Sequence, residues 1–244
     1  MTAAPVTMVE RLRTSTRDWH DALEATPFAS AMLAGTLPVE RYVGQLAAYR
    51  VVLGALEGEL SRLAESAASD RVWSPDLVKL PLIDRDLAYF ANLGTAPSTA
   101  SPSTASPRTA LAPSAAAEAE AFAAEIRQRA AEADLRGLPS LLGFLYVMEG
   151  STLGALFLHP YVTAAYHLPG RDDGTAGVAY YTSGDRDRWA RFTSRMNQAL
   201  TDPEAQEQVV TAARVAYRHT AAITGALSVG LSPPSPAPSP TPVR

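Results

Sequence analysis

Apolar positions recur at three- and four-residue spacing along most of this chain, and the two-residue alternation of a half-buried strand is nearly absent. The pattern predicts helices over residues 6–25, 38–66, 76–93, 115–134, 138–163, 186–200 and 203–227, and hence an all-α fold. Two of the starts have a local cause. Pro38 opens "PVERYV" and Pro203 follows Asp202 in "TDPEAQEQ", so proline's fixed φ sits in the first turn, with an aspartate positioned to cap the second helix.

The periodicity fails in two places. "TAPSTASPSTASPRTALAPSAAA" repeats STASP and holds too few apolar side chains to offset the entropy of ordering it, which predicts a mobile linker at about 95–114. The end, "LSPPSPAPSPTPVR", is proline-rich and extended. The expected organisation is one helical domain over 1–228 carrying that linker, then a tail over 229–244 that serves as a spacer or binds a partner.

Composition narrows the chemistry. With 244 residues, 47% of them hydrophobic, the chain has enough apolar side chain for a core of its own. No cysteine is present, which excludes disulfides, zinc–thiolate sites, iron–sulfur clusters and a thiolate-ligated haem; any metal must be held by nitrogen or oxygen. A net charge of −4 leaves no domain-wide basic field for nucleic acid. The N-terminus turns amphipathic without the apolar core of a signal peptide. Glu149, Ser151, Thr152 and His159 interrupt the apolar stretch around 138–162 before the roughly 20 residues that a membrane span needs. A soluble, cytoplasmic protein is expected, with no membrane partner.

Two stretches are candidates for chemistry. "LRTSTRDWHDALEATPF" puts Leu12, Thr16, Trp19 and Leu23 on one helical face, with His20 at its edge and Glu24 one turn further on. A carboxylate near the second ring nitrogen is what a metal-bound imidazole requires, because it fixes the tautomer and raises ligand basicity. An ordinary half-buried histidine in an i,i+4 pair has the same spacing, and this stretch alone leaves both readings open. Arg13 and Arg17, on the same helix, suit the carboxylates of a ligand or a solvated face. The other histidines, His159, His167 and His219, stand in no metal-binding motif, and the dinucleotide, P-loop and hydrolase fingerprints are absent.

The second stretch is "FLYVMEGSTLGALFLHP", helical in pattern yet carrying Gly150 and Gly154 one turn apart. Each glycine costs a helix interior about 1 kcal/mol relative to alanine. The pair strips side chains from one patch and exposes backbone there. A second helix packed through small residues, a flat ligand, or a bend would each account for it.

Together these stretches resemble the haem oxygenase family, and particularly its bacterial members. The resemblance rests on "LRTSTRDWHDALE", "RYVGQLAAYRVVLGALEGEL", "LGFLYVMEGSTLGALFL" and "FTSRMNQAL", which stand in the family's order and span most of the chain outside the linker and tail. It implies a helical bundle holding haem between a proximal and a distal helix. His20 would be the proximal iron ligand and Glu24 the carboxylate beside it. Arg13, Thr16 and Arg17 would be haem-binding, the arginines toward the propionates. Gly150 and Gly154 would be the paired distal glycines, with Ser151 and Thr152 either in a distal water network or simply bonded back along the helix.

The implied reaction is oxygen-dependent cleavage of haem to biliverdin, ferrous iron and carbon monoxide, with haem as cofactor and substrate. Electrons would come from an external ferredoxin or reductase, and a biliverdin-using phytochrome is an expected partner. A haem or biliverdin carrier on the same fold is the alternative. Ser151 stands where eukaryotic members carry Asp. Trp189 and Thr193 stand where some relatives carry basic residues, leaving Arg188, Arg191 and Arg195 as substitutes or as surface charges. Tyr217 is expected in the core.

Overall fold

The computed structural model describes residues 6–64, 72–95, 112–132, 138–168 and 176–232. Eight α-helices run α1 Met8–Glu24, α2 Pro27–Leu33, α3 Val39–Ala64, α4 Leu80–Thr95, α5 Pro113–Ala131, α6 Leu138–Ala165, α7 Arg186–Ala199 and α8 Pro203–Ser228, and no strand occurs among the described residues. The all-α expectation holds. Most of the predicted linker, residues 96–111, and the tail from 233 onward lie outside the described residues.

Side-chain caps set several helix starts. At α1, the Thr7 hydroxyl accepts from the Glu10 amide while Glu10 accepts from the Thr7 amide, a reciprocal capping box. Asp185 and Asp202 cap α7 and α8. The short helix α2 was not predicted. Its signal is Thr26 capping through the Ala29 amide with Pro27 in the first turn, but seven residues are too few for a periodic pattern to register.

The helix predicted from Asp76 begins four residues later, after a single 3-10 turn at Pro75–Leu77. The cause is tertiary. The Glu57 carboxylate, on α3, accepts from the Lys79 amide at 2.7 Å and the Leu80 amide at 3.2 Å, so the cap of α4 comes from another helix.

Helix α6 lies at the centre, packed along α8 and touching α3, α5 and α7, while α1 packs on α8. Its crossing with α8 is close: a Cβ at Gly143 would lie 2.4 Å from the Val209 carbonyl oxygen. A long apolar core helix resembles a membrane span in composition. α6 has a window of mean hydropathy 1.6, yet 61% of that window is buried inside the molecule. Burial within the fold accounts for its apolar character.

Candidate functional site

One face of α1 and one face of α6 bound a cavity of about 740 Å³, within the range of roughly 300–1,000 Å³ common for small-molecule sites. Arg13, Thr16, Arg17, His20 and Glu24 line it from α1, and Gly150, Ser151 and Gly154 line it from α6. Eight of the residues singled out in the sequence therefore converge on one space.

On the α1 wall, the three- and four-residue spacing from Arg13 to Glu24 keeps the polar groups on one face. Thr16 is buried and donates its hydroxyl to the Leu12 carbonyl at 2.8 Å. The His20 side chain is 56% exposed, and its Nδ1 lies 3.7 Å from Glu24 Oε1 and 3.9 Å from Asp21 Oδ1. Two carboxylates thus face one ring nitrogen. Asp21 is an addition to the pair expected from sequence. Arg13 and Arg17 are exposed and available to an anion. Trp19, placed on the apolar face by its spacing, is 37% exposed.

On the α6 wall the two glycines differ. A Cβ at Gly150 would meet the Trp189 ring at 3.3 Å, whereas a Cβ at Gly154 would have nothing within 4 Å. Gly150 accommodates a packed ring. Gly154 leaves the cavity wall bare. Thr152 faces away: it is fully buried, donates to the Glu149 carbonyl at 2.7 Å and does not line the cavity, so of the two expected distal hydroxyls only Ser151 is in place. Gly184 presses on that same turn, where a Cβ would come within 2.4 Å of the Thr152 carbonyl oxygen.

Tyrosines form much of the remaining wall, from Tyr49 on α3, Tyr146 on α6, Tyr180 and Tyr181 in the turn before α7, and Tyr217 on α8. Tyr217, expected in the core, is half-buried and lines the cavity. The 180–181 turn is held by Asp86, a fully buried residue whose carboxylate accepts from the Ala179 amide at 2.7 Å and the Tyr180 amide at 2.8 Å. Burial pushes its carboxyl up to about 6, against the opposing pull of those amides.

Behind the α6 wall lies a charged cluster that no local pattern announced. Glu149 is 2% exposed and pairs through Oε1 with Arg188 Nε at 2.7 Å and through Oε2 with Lys79 Nζ at 3.0 Å. Burial pulls the Lys79 ammonium below its usual range, and the Glu149 charge opposes that. Arg188 is thereby committed to a buried pair. Arg191 lies 3.6 Å from Asp76 and Arg195 donates to the Ser74 hydroxyl at 2.9 Å, so none of Arg188, Arg191 and Arg195 reaches the cavity. Trp189 does, with its ring 5.2 Å from that of Tyr146.

Removing Glu149 would strand the Lys79 charge in the core. Glu149→Ala is therefore expected to cost about 3–5 kcal/mol in a denaturant titration. A loss of less than about 1 kcal/mol, typical of an exposed pair, would contradict the buried placement.

The fold and cavity define a helical protein with a histidine on one wall and bare helix backbone on the other. Residues 6–224 match the family model for heme oxygenase, and the chain belongs to the heme oxygenase family. Heme oxygenase-1 from the cyanobacterium Synechocystis sp. PCC6803, solved in complex with heme, is 20% identical with a TM-score of 0.72, covering 93% of this chain and 94% of that one. Heme oxygenase from Leptospira interrogans is 17% identical with a TM-score of 0.69, covering 91% and 99%. Heme oxygenase-2 from Synechocystis sp. PCC 6803, solved with heme and NO, is 19% identical with a TM-score of 0.70, covering 91% and 85%. No curated protein matches the chain.

Proposed function

We propose that this protein is a soluble, cytoplasmic heme oxygenase that cleaves haem, using dioxygen and external electrons, to biliverdin, ferrous iron and carbon monoxide. The observation that carries this reading is that His20 and the bare backbone at Gly154 line one cavity from two different helices. The residues present fit a haem. The cavity is largely apolar apart from its α1 side, its size suits a flat ligand, and a nitrogen donor stands on one wall. When bound, haem supplies both the iron that takes up dioxygen and the ring that is opened.

The chain's own residues hold and orient that group. His20 would ligate the iron through Nε2, with Glu24 and Asp21 supporting the ring from Nδ1. Arg13 and Arg17 would pair with the propionates as guanidinium forks, and Thr16 would line the same side of the haem. Gly154 keeps the α6 side of the cavity free of side chain, and would let a flat ligand lie close to the helix backbone there.

The chain has no cysteine and no nucleotide fingerprint, so a separate ferredoxin or reductase supplies the electrons in this scheme. A phytochrome that uses biliverdin is a consumer consistent with it.

Titration of the purified protein with haemin, followed by a reductant in air, tests the proposal by visible spectroscopy. A saturable Soret band that decays into a broad red biliverdin absorption is expected. A stable Soret band with several competent donors would make the protein a haem carrier, and absence of any Soret band would overturn haem binding altogether.

A further inference from the structure

Ser151 and Tyr180 meet on the cavity side of α6, with Oγ and the phenol oxygen 3.2 Å apart. Their hydrogens can be assigned. Ser151 has one and gives it to the Met148 carbonyl at 2.7 Å, so the Tyr180 hydroxyl is the donor in the contact between them. Met148 lies inside α6, where its carbonyl also belongs to the helix ladder. Ser151 can therefore turn its hydrogen into the cavity without stranding that acceptor. On turning, it keeps the hydrogen bond from Tyr180.

Tyr180 is built to stay in place. Its side chain is 1% exposed, its ring stands edge-on to Tyr49 at 6.0 Å, and its amide is held by the Asp86 carboxylate. Burial raises its phenol well above the usual range, so it keeps its hydrogen throughout the physiological pH range. Nothing in its own stretch announces a site.

We propose that Tyr180 and Ser151 form a two-hydroxyl donor chain, Tyr180 to Ser151 to ligand, that stabilises a small diatomic or anionic ligand bound on the side of the cavity opposite His20. The proposal rests on the reading that haem fills the cavity. It assigns a specific function to a pair of uncharged groups, with Tyr180 acting through Ser151 as a positioning residue.

The test uses haem-loaded protein with carbon monoxide and azide as probes, comparing Ser151→Ala, Ser151→Thr, Tyr180→Phe and the double variant Ser151→Ala/Tyr180→Phe. The wild-type carbon–oxygen stretch should be low, and should rise in Ser151→Ala and Tyr180→Phe. Azide affinity should fall roughly 2- to 12-fold, the equivalent of one net hydrogen bond. Ser151→Thr should restore both, and Tyr180→Phe should add nothing once Ser151 is alanine, because the two groups act in series. Thermal unfolding of the apo forms separates these effects from loss of structure. If Tyr180→Phe does not fold, the serine pair of variants decides alone. A normal Soret band with unchanged stretch and azide affinity would overturn the donor chain and leave haem binding standing, whereas a wild-type protein without a Soret band would overturn both.

Discussion

His20→Ala is expected to bring haem turnover to background while leaving the fold unchanged. The His20 side chain is 56% exposed and its nearest carboxylate partner is 3.7 Å away, so its removal takes little packing with it. Alanine is also the better helix former at that position of α1. Circular dichroism and the melting temperature of the apo protein should therefore match the wild type. The haem-bound spectrum should change, because the nitrogen proposed to ligate the iron is gone, and added imidazole should restore part of it by entering the vacated space. Near-wild-type haem affinity, spectrum and turnover would sink the assignment of His20.

Gly154→Phe is expected to separate the cavity from the fold. No atom lies within 4 Å of a Cβ built at Gly154, so a side chain there projects into open space. The helix itself should gain, by up to about 1 kcal/mol for Gly154→Ala, since glycine is a poor helix former. The bulky phenylalanine variant should retain its melting temperature but lose haem affinity, oxygen binding or the wild-type cleavage position. An unchanged binding curve, rate and product isomer would show that the ligand does not come near this turn. Gly143 supplies the contrast. A Cβ there would lie 2.4 Å from the Val209 carbonyl, and overpacking of this kind costs about 1–3 kcal/mol. Two glycines eleven residues apart on one helix thus have opposite reasons to exist.

What could be seen in the sequence was local. His20 and Glu24 share a helical face because they are four residues apart, and Gly150 and Gly154 for the same reason, so spacing alone placed each pair. That the two pairs line one cavity depends on the packing of α1 and α6 around α8, which no periodicity encodes. The buried Glu149 cluster was hidden for a related reason. Lys79 and Arg188 lie 70 and 39 residues from it, and in sequence Glu149 merely interrupts an apolar run. The start of α4 was misplaced because its cap is Glu57, 22 residues upstream of Lys79. Tyr180 escaped notice because its turn has no repeat to read and takes its shape from Asp86, across the core.

The charges around the cavity fall into two populations that salt would distinguish. Lys79, Glu149 and Arg188 lie largely out of water, where mobile ions hardly enter between them. Arg13 and Arg17 stand in solvent at the rim, where the screening length shrinks from about 30 Å at 0.01 M to about 3 Å at 1 M. Ionic strength should therefore weaken capture of an anionic ligand long before it disturbs the wall against which that ligand rests.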